Sequence, residues 1–146
     1  EKALLSMLSH KYFNCTIPKS TGFETFNLKW INKYISKFNI KNKNTLIATF
    51  TQLTIISISD AINSSNLDSS DIFFSGGGSR NAFIKNNILK RTGLNEVKVL
   101  PFGLNYKNLE SASFAWLAMK RNNEEMITKK YITGANRSRK LGIIYR

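Results

Sequence analysis

DIFFSGGGSRN, residues 71–81, is the stretch whose reading decides the fold. A short apolar run, Ile72-Phe73-Phe74, is bounded by polar residues and leads into three consecutive glycines, Gly76, Gly77 and Gly78. Such a run suits a buried strand, and the glycines suit a sharp turn out of it. The residues that follow, RNAFIKNNILKR (80–91), place Phe83, Ile84, Ile88 and Leu89 at helical spacing, with Thr92-Gly93 as the stop. EVKVL (96–100) then reads as a second strand ended by Pro101. YKNLESASFAWLAMKRNNEEM (106–126) is predicted as a further helix, with Leu109, Ala112, Ser113, Trp116 and Leu117 on one side and Asn105 as its cap. Strand, helix, strand, helix predicts a right-handed unit with parallel strands, hence an α/β fold.

Upstream the chain reads as helices. EKALLSMLSHKYF (1–13) carries Leu4, Leu5 and Leu8 at helical spacing from its first residues, so the chain is expected to begin inside a helix with an N-terminal portion missing. ETFNLKWINKYISKF (24–38) lines up Phe26, Trp30, Ile31 and Tyr34, with Ser20 or Thr21 as its cap. A long helix from about Thr45 to Asn63 keeps Leu46, Phe50, Leu53 and Ser57 in register.

The 146 residues fit one domain that buries about two-thirds of its unfolded surface. Hydrophobic residues make up 42% of the chain, including ten Phe, five Tyr and two Trp, which excludes the composition of a disordered chain. The net charge of +13 admits a stand-alone basic module for an acidic polymer such as nucleic acid, but the 22 Lys and Arg are spread over the whole length, which favours a solvated surface. A single cysteine, Cys15, excludes an internal disulfide and points to a reducing compartment. TLIATFTQLTIISI (45–58), the longest apolar candidate, is broken by Thr, Gln and Ser, and no membrane span is expected.

The glycine triplet fails two familiar phosphate-binding patterns. No Gly-Lys-Ser/Thr closes it, as a Walker loop requires, and a dinucleotide fingerprint would need glycine where Asn81 stands and an acidic residue where the next strand has Leu100 and Pro101. A corner without side chains remains, where a flat ligand can approach the backbone near the positive end of a helix, with the amides of Ser79 and Arg80 as donors. A plain structural corner fits the same residues equally well. His10, the only histidine, and Cys15 form no recognisable nucleophile arrangement, and no carboxylate pair has metal or acid/base spacing. Glu110 stands out among the nine carboxylates, one turn into the last helix, where a ligand contact and a simple helix-terminus charge are both open.

Five motifs in order, PKSTGFE (18–24), TLIATFTQLT (45–54), FFSGGGSRN (73–81), LESASFAWLA (109–118) and ITGANRSRKLGIIY (132–145), resemble the C-terminal part of anhydro-N-acetylmuramic acid kinases, from about Leu5 to Tyr145. The resemblance implies residues 1–146 as the C-terminal part of such a kinase, a partial ribonuclease H-like (actin-like ATPase) domain that is helix-rich with a short parallel sheet. It implies ATP with Mg2+, a small sugar substrate, no nucleic acid or membrane partner, a homodimer in the full-length enzyme and a cytoplasmic setting. By position, Gly76, Gly77, Gly78 and Asn81 are similar to the adenosine-side motif, and Glu110 to the glutamate facing the sugar cleft. Two positions depart from the family pattern: Phe23 stands where Arg is usual, and Ser111 where Ala is usual. No segment resembles the family's phosphate loop or its catalytic aspartate, so no catalytic base is expected in this chain, no residue is assigned to a metal, and the chain alone is expected to be inactive.

Overall fold

The computed structural model describes residues 1–17, 19–65, 68–128 and 136–145. Its elements are α1 (Lys2–Leu8), α2 (Leu28–Lys37), α3 (Lys43–Asn63), β1 (Asp71–Phe73), a 3-10 turn (Gly77–Arg80), α4 (Ala82–Thr92), β2 (Asn95–Val97), a second 3-10 turn (Pro101–Gly103) and α5 (Leu109–Asn122). β1 and β2 pair as a two-stranded parallel sheet, so the helix-rich α/β expectation holds. Two compact units are present, one of residues 1–70 with 81–95 and the other of residues 71–80 with 96–146.

The first unit is a helical core. α3 packs on both α1 and α4, and Met7, Tyr34 and Leu53 form its buried centre, with Leu4, Leu8, Trp30 and Phe50 packed around them. An aromatic chain runs along one side, from Phe13 to Phe26 (ring centroids 5.4 Å apart), to Trp30 (5.0 Å) and to Tyr34 (4.8 Å), whose hydroxyl donates to the Ser6 carbonyl at 3.2 Å. By length and composition α3 is long and apolar enough to cross a membrane; it buries Leu53, Ile55 and Ser59 and packs against α1 and α4. α4 buries only Ile88, which is 1% exposed. Ile88→Ala is therefore expected to destabilise this unit by about 2–4 kcal/mol, through lost transfer energy and an unfilled cavity. Equilibrium denaturation in urea checks it, with an unchanged midpoint as the contrary result.

Helix boundaries follow local capping chemistry. Asn27, rather than Ser20 or Thr21, caps α2, its side chain accepting from the Trp30 amide. Residues 23–25 form a turn instead, with the Glu24 carboxylate accepting from the Gly22 amide at 2.8 Å, which competes with an earlier helix start. Asn42 caps α3 by accepting from Asn44 and Thr45, and Gly93, at φ 72°, ends α4 as its sequence predicts. β2 is shorter than EVKVL: past Val97 the chain leaves the sheet, and Leu100 instead donates to the Leu104 carbonyl at 2.7 Å across the Pro101–Gly103 turn.

Helical phase also differs from the expectation in places. Leu5 is 61% exposed while Ala3 and Met7 are buried, and α3 buries Ile55 and Ser59 where Leu46 and Ser57 are expected to line up with Leu53. Neighbouring apolar residues on a helix fit two phases, and the packing partner selects between them.

Candidate functional site

The glycine corner lies in the second unit. Gly76 has φ +80°, a left-handed conformation that favours glycine. The next residues curl into the 3-10 turn before α4 begins, and this turn uses one of the two amides expected to be free: that of Ser79 donates to the Gly76 carbonyl at 3.2 Å, as does the Ser79 hydroxyl at 2.7 Å. Gly77 and Gly78 have no positive φ, and a Cβ added to either would meet no described atom within 4 Å. Neither strain nor crowding within the described residues requires glycine at these two positions.

Asn81 belongs to the first unit and caps α4. Its Oδ1 accepts from the Ile84 amide at 3.2 Å, which leaves the Nδ2 group to other uses. Beside it, α3 and α4 enclose a groove of about 310 Å³. A larger groove of about 540 Å³ in the same unit is bordered by Phe13, Cys15, Lys19, Asp60 and Ser64. Its polar groups are engaged within the protein: Lys19 donates to the carbonyls of Tyr12 and Phe13, at 3.2 and 2.9 Å, and Asp60 pairs with Arg91 at 3.2 Å.

Glu110 is exposed in the first turn of α5. Asn108 occupies the cap position, not Asn105; Asn105 folds its own loop instead, its Oδ1 accepting from Lys107 at 2.9 Å and its amide donating to Asn108 Oδ1 at 2.6 Å. Just upstream, Phe102 is fully exposed at φ 63°.

Just past α5, Glu124 and Glu125 are the carboxylates with lowered pKa among the described residues. Hydrogen bonds from Lys140 and then Arg121 hold Glu124 below the ordinary carboxylate range, and a hydrogen bond from Lys120 does the same for Glu125. Nearby, the amide of Arg139 donates to the Thr128 hydroxyl at 2.6 Å, and Arg121 donates to the Gly142 carbonyl at 3.0 Å. These contacts fasten residues 139–142 to α5 and the segment after it; residues 132–135 of the same motif lie outside the described residues. Carboxylates held ionised by neighbouring cations are poor proton acceptors near neutral pH. The Nδ1 of His10 accepts from the Tyr12 amide at 3.3 Å, and its ring packs against Phe13, Phe26 and Trp30.

Comparison with known proteins gives this geometry a family. The model of the anhydro-N-acetylmuramic acid kinase family matches residues 1–146. The chain belongs to that family. An anhydro-N-acetylmuramic acid kinase of Sulfurovum sp. (strain NBC37-1) is 34% identical over 144 residues, covering 97% of this chain and 38% of the relative. Similarly named proteins of Coxiella burnetii (strain RSA 493 / Nine Mile phase I) and Sulfurimonas denitrificans are 33% and 32% identical, covering 99% and 97% of this chain and 39% and 40% of their own lengths. The chain thus spans about two-fifths of the length of the curated relatives it matches.

Proposed function

We propose that this chain supplies the adenosine-side wall and one sugar contact of an anhydro-N-acetylmuramic acid kinase, as a C-terminal, ribonuclease H-like part of such an enzyme. In the reaction, water adds to C1 of 1,6-anhydro-N-acetylmuramic acid and opens the anhydro bridge. The freed O6 attacks the γ-phosphate of ATP, giving N-acetylmuramic acid 6-phosphate and ADP. Gly76, Gly77, Gly78 and Asn81 take the nucleotide, and Glu110 orients the sugar. The observation that carries this reading is the open backbone at Gly77 and Gly78: the described structure gives no packing reason for the missing side chains, whereas close approach of a nucleotide would.

Mg2+ accompanies ATP in this proposal, but no group of three or more His, Cys, Asp or Glu gathers as metal ligands among the described residues. No residue of this chain is assigned to the ion and no step is routed through it. The surrounding enzyme is proposed to be a cytoplasmic homodimer serving cell-wall sugar recycling.

Phosphoryl transfer needs a phosphate clamp, a base for water and both substrates held in one cleft. The motifs present supply only part of that set, so the 146-residue chain alone is expected to form no product. Incubation with ATP, Mg2+ and anhydro-N-acetylmuramic acid, followed by mass spectrometry for the 6-phosphate, tests this. Product above a no-protein control would place the base within this chain.

A further inference from the structure

α5 carries an apolar face that nothing among the described residues buries. Eight of its fourteen residues are apolar, yet none is buried, whereas α1, α2, α3 and α4 each bury at least one residue. Ala112, Ala115, Trp116 and Met119 recur at the three-and-four spacing of a single helix face. Ala112 is half-buried, Ala115 is exposed, and Trp116 and Met119 are each 49% exposed. At about 3.6 residues per turn, Glu110 stands on the opposite face. A helix this short is marginal in water by itself, because most helical stability in proteins comes from packing of an apolar face.

We infer that this face of α5 is a docking surface for the part of the kinase polypeptide that this chain does not span. The Sulfurovum relative possesses that part, since this chain covers 38% of it. The inference rests on family membership alone and is independent of the nucleotide and sugar readings. Its chemistry is that of a core surface: Ala112 and Ala115 let a facing element come close, while Trp116 and Met119 reach into it, the interdigitation of small and large side chains by which packed layers fill space. The facing surface is therefore apolar. A second copy of this chain fits less well, because each copy carries a net charge of +13 and pairing them sets like charge against like. Docked through this face, α5 is held on one side and keeps Glu110 uncovered on the other.

Hydrogen exchange followed by mass spectrometry over residues 109–122 tests the assignment, comparing the 146-residue chain with a chimera in which it replaces the matching segment of the Sulfurovum relative. Exchange should be at least about tenfold slower in the chimera and independent of protein concentration. Met119→Glu should leave the melting temperature of the 146-residue chain unchanged, but lower that of the chimera by more than about 4 °C, since docking would bury a carboxylate without a partner. The matching helix of the unaltered Sulfurovum relative should be as protected as in the chimera, a measurement that survives failure of the chimera to fold. Fast exchange in that helix overturns the docking face, as does equal exchange in chain and chimera with an equal response to Met119→Glu. Protection that rises with concentration in the 146-residue chain, together with a doubled mass in sedimentation, assigns the face to a second copy and overturns the occupant inferred here.

Discussion

Gly77→Val is expected to reduce ATP affinity of the 146-residue chain more than tenfold while leaving its melting temperature almost unchanged. The position separates ligand contact from folding because the two costs differ so much there. The backbone of Gly77 is not left-handed, and its added Cβ meets no described atom within 4 Å, so neither backbone strain nor a Cβ clash opposes a side chain there. What remains is the small cost of a β-branched residue opening a short 3-10 turn. A base or ribose lying against the backbone, by contrast, would clash with both γ-carbons. Gly76→Val would be a poorer test, since φ +80° strains any side chain there and mixes folding loss with binding loss. Isothermal titration with ATP and a thermal melt measure the two quantities separately. Unchanged affinity would reduce the triplet to a corner between β1 and α4.

What could be read from the sequence divides along the range of the interactions involved. The end of α4 was legible to the residue because its signal is local, Gly93 closing it through φ 72°, whereas its start was read two residues early, at Arg80, with the Asn81 cap missed. The start of α2 was not legible, because Ser20, Thr21 and Asn27 are all competent caps and the Glu24–Gly22 turn favours the last. Phase was ambiguous for the same reason at Leu5 and Phe83, whose apolar neighbours offered an equally regular stripe. The glycine triplet stands out in the chain as a corner, but its nucleotide role and that of Asn81 came from the family resemblance. The groove between α3 and α4 could not be read, because its α3 residues Asn44 and Gln52 stand roughly thirty to forty residues from Asn81 and Phe83 and meet them only through the packing of α3 on α4. Nor did residue types reveal that Ser79 spends its amide inside the turn, a consequence of the i to i+3 closure after Gly76.

Glu110→Gln discriminates between the two roles that a carboxylate in the first turn of a helix can have. As a helix-terminus charge it interacts with the dipole of α5 and is worth about 0.3–1 kcal/mol, and its loss would lower the melting temperature while leaving chemistry intact. As a sugar contact, it accepts hydrogen bonds from hydroxyl groups that must be held in register while the bridge opens and O6 turns toward phosphate. Glutamine keeps the shape of the side chain but halves its acceptor character and removes its charge. Misplacement of a reacting group by a fraction of an ångström to one ångström costs up to about a hundredfold in rate. The suitable vehicle is a chimera in which this chain replaces the matching 144 residues of the Sulfurovum relative, so that both substrates meet a complete cleft. There Glu110→Gln is expected to lower kcat and kcat/KM together by about a hundredfold, since the contact tightens as the transition state forms, with little change in melting temperature. A rise in KM alone would make Glu110 a ground-state binding contact. Unchanged kinetics with a lower melting temperature would assign it to the helix dipole, and the carboxylate would then have no part in the proposed sugar site.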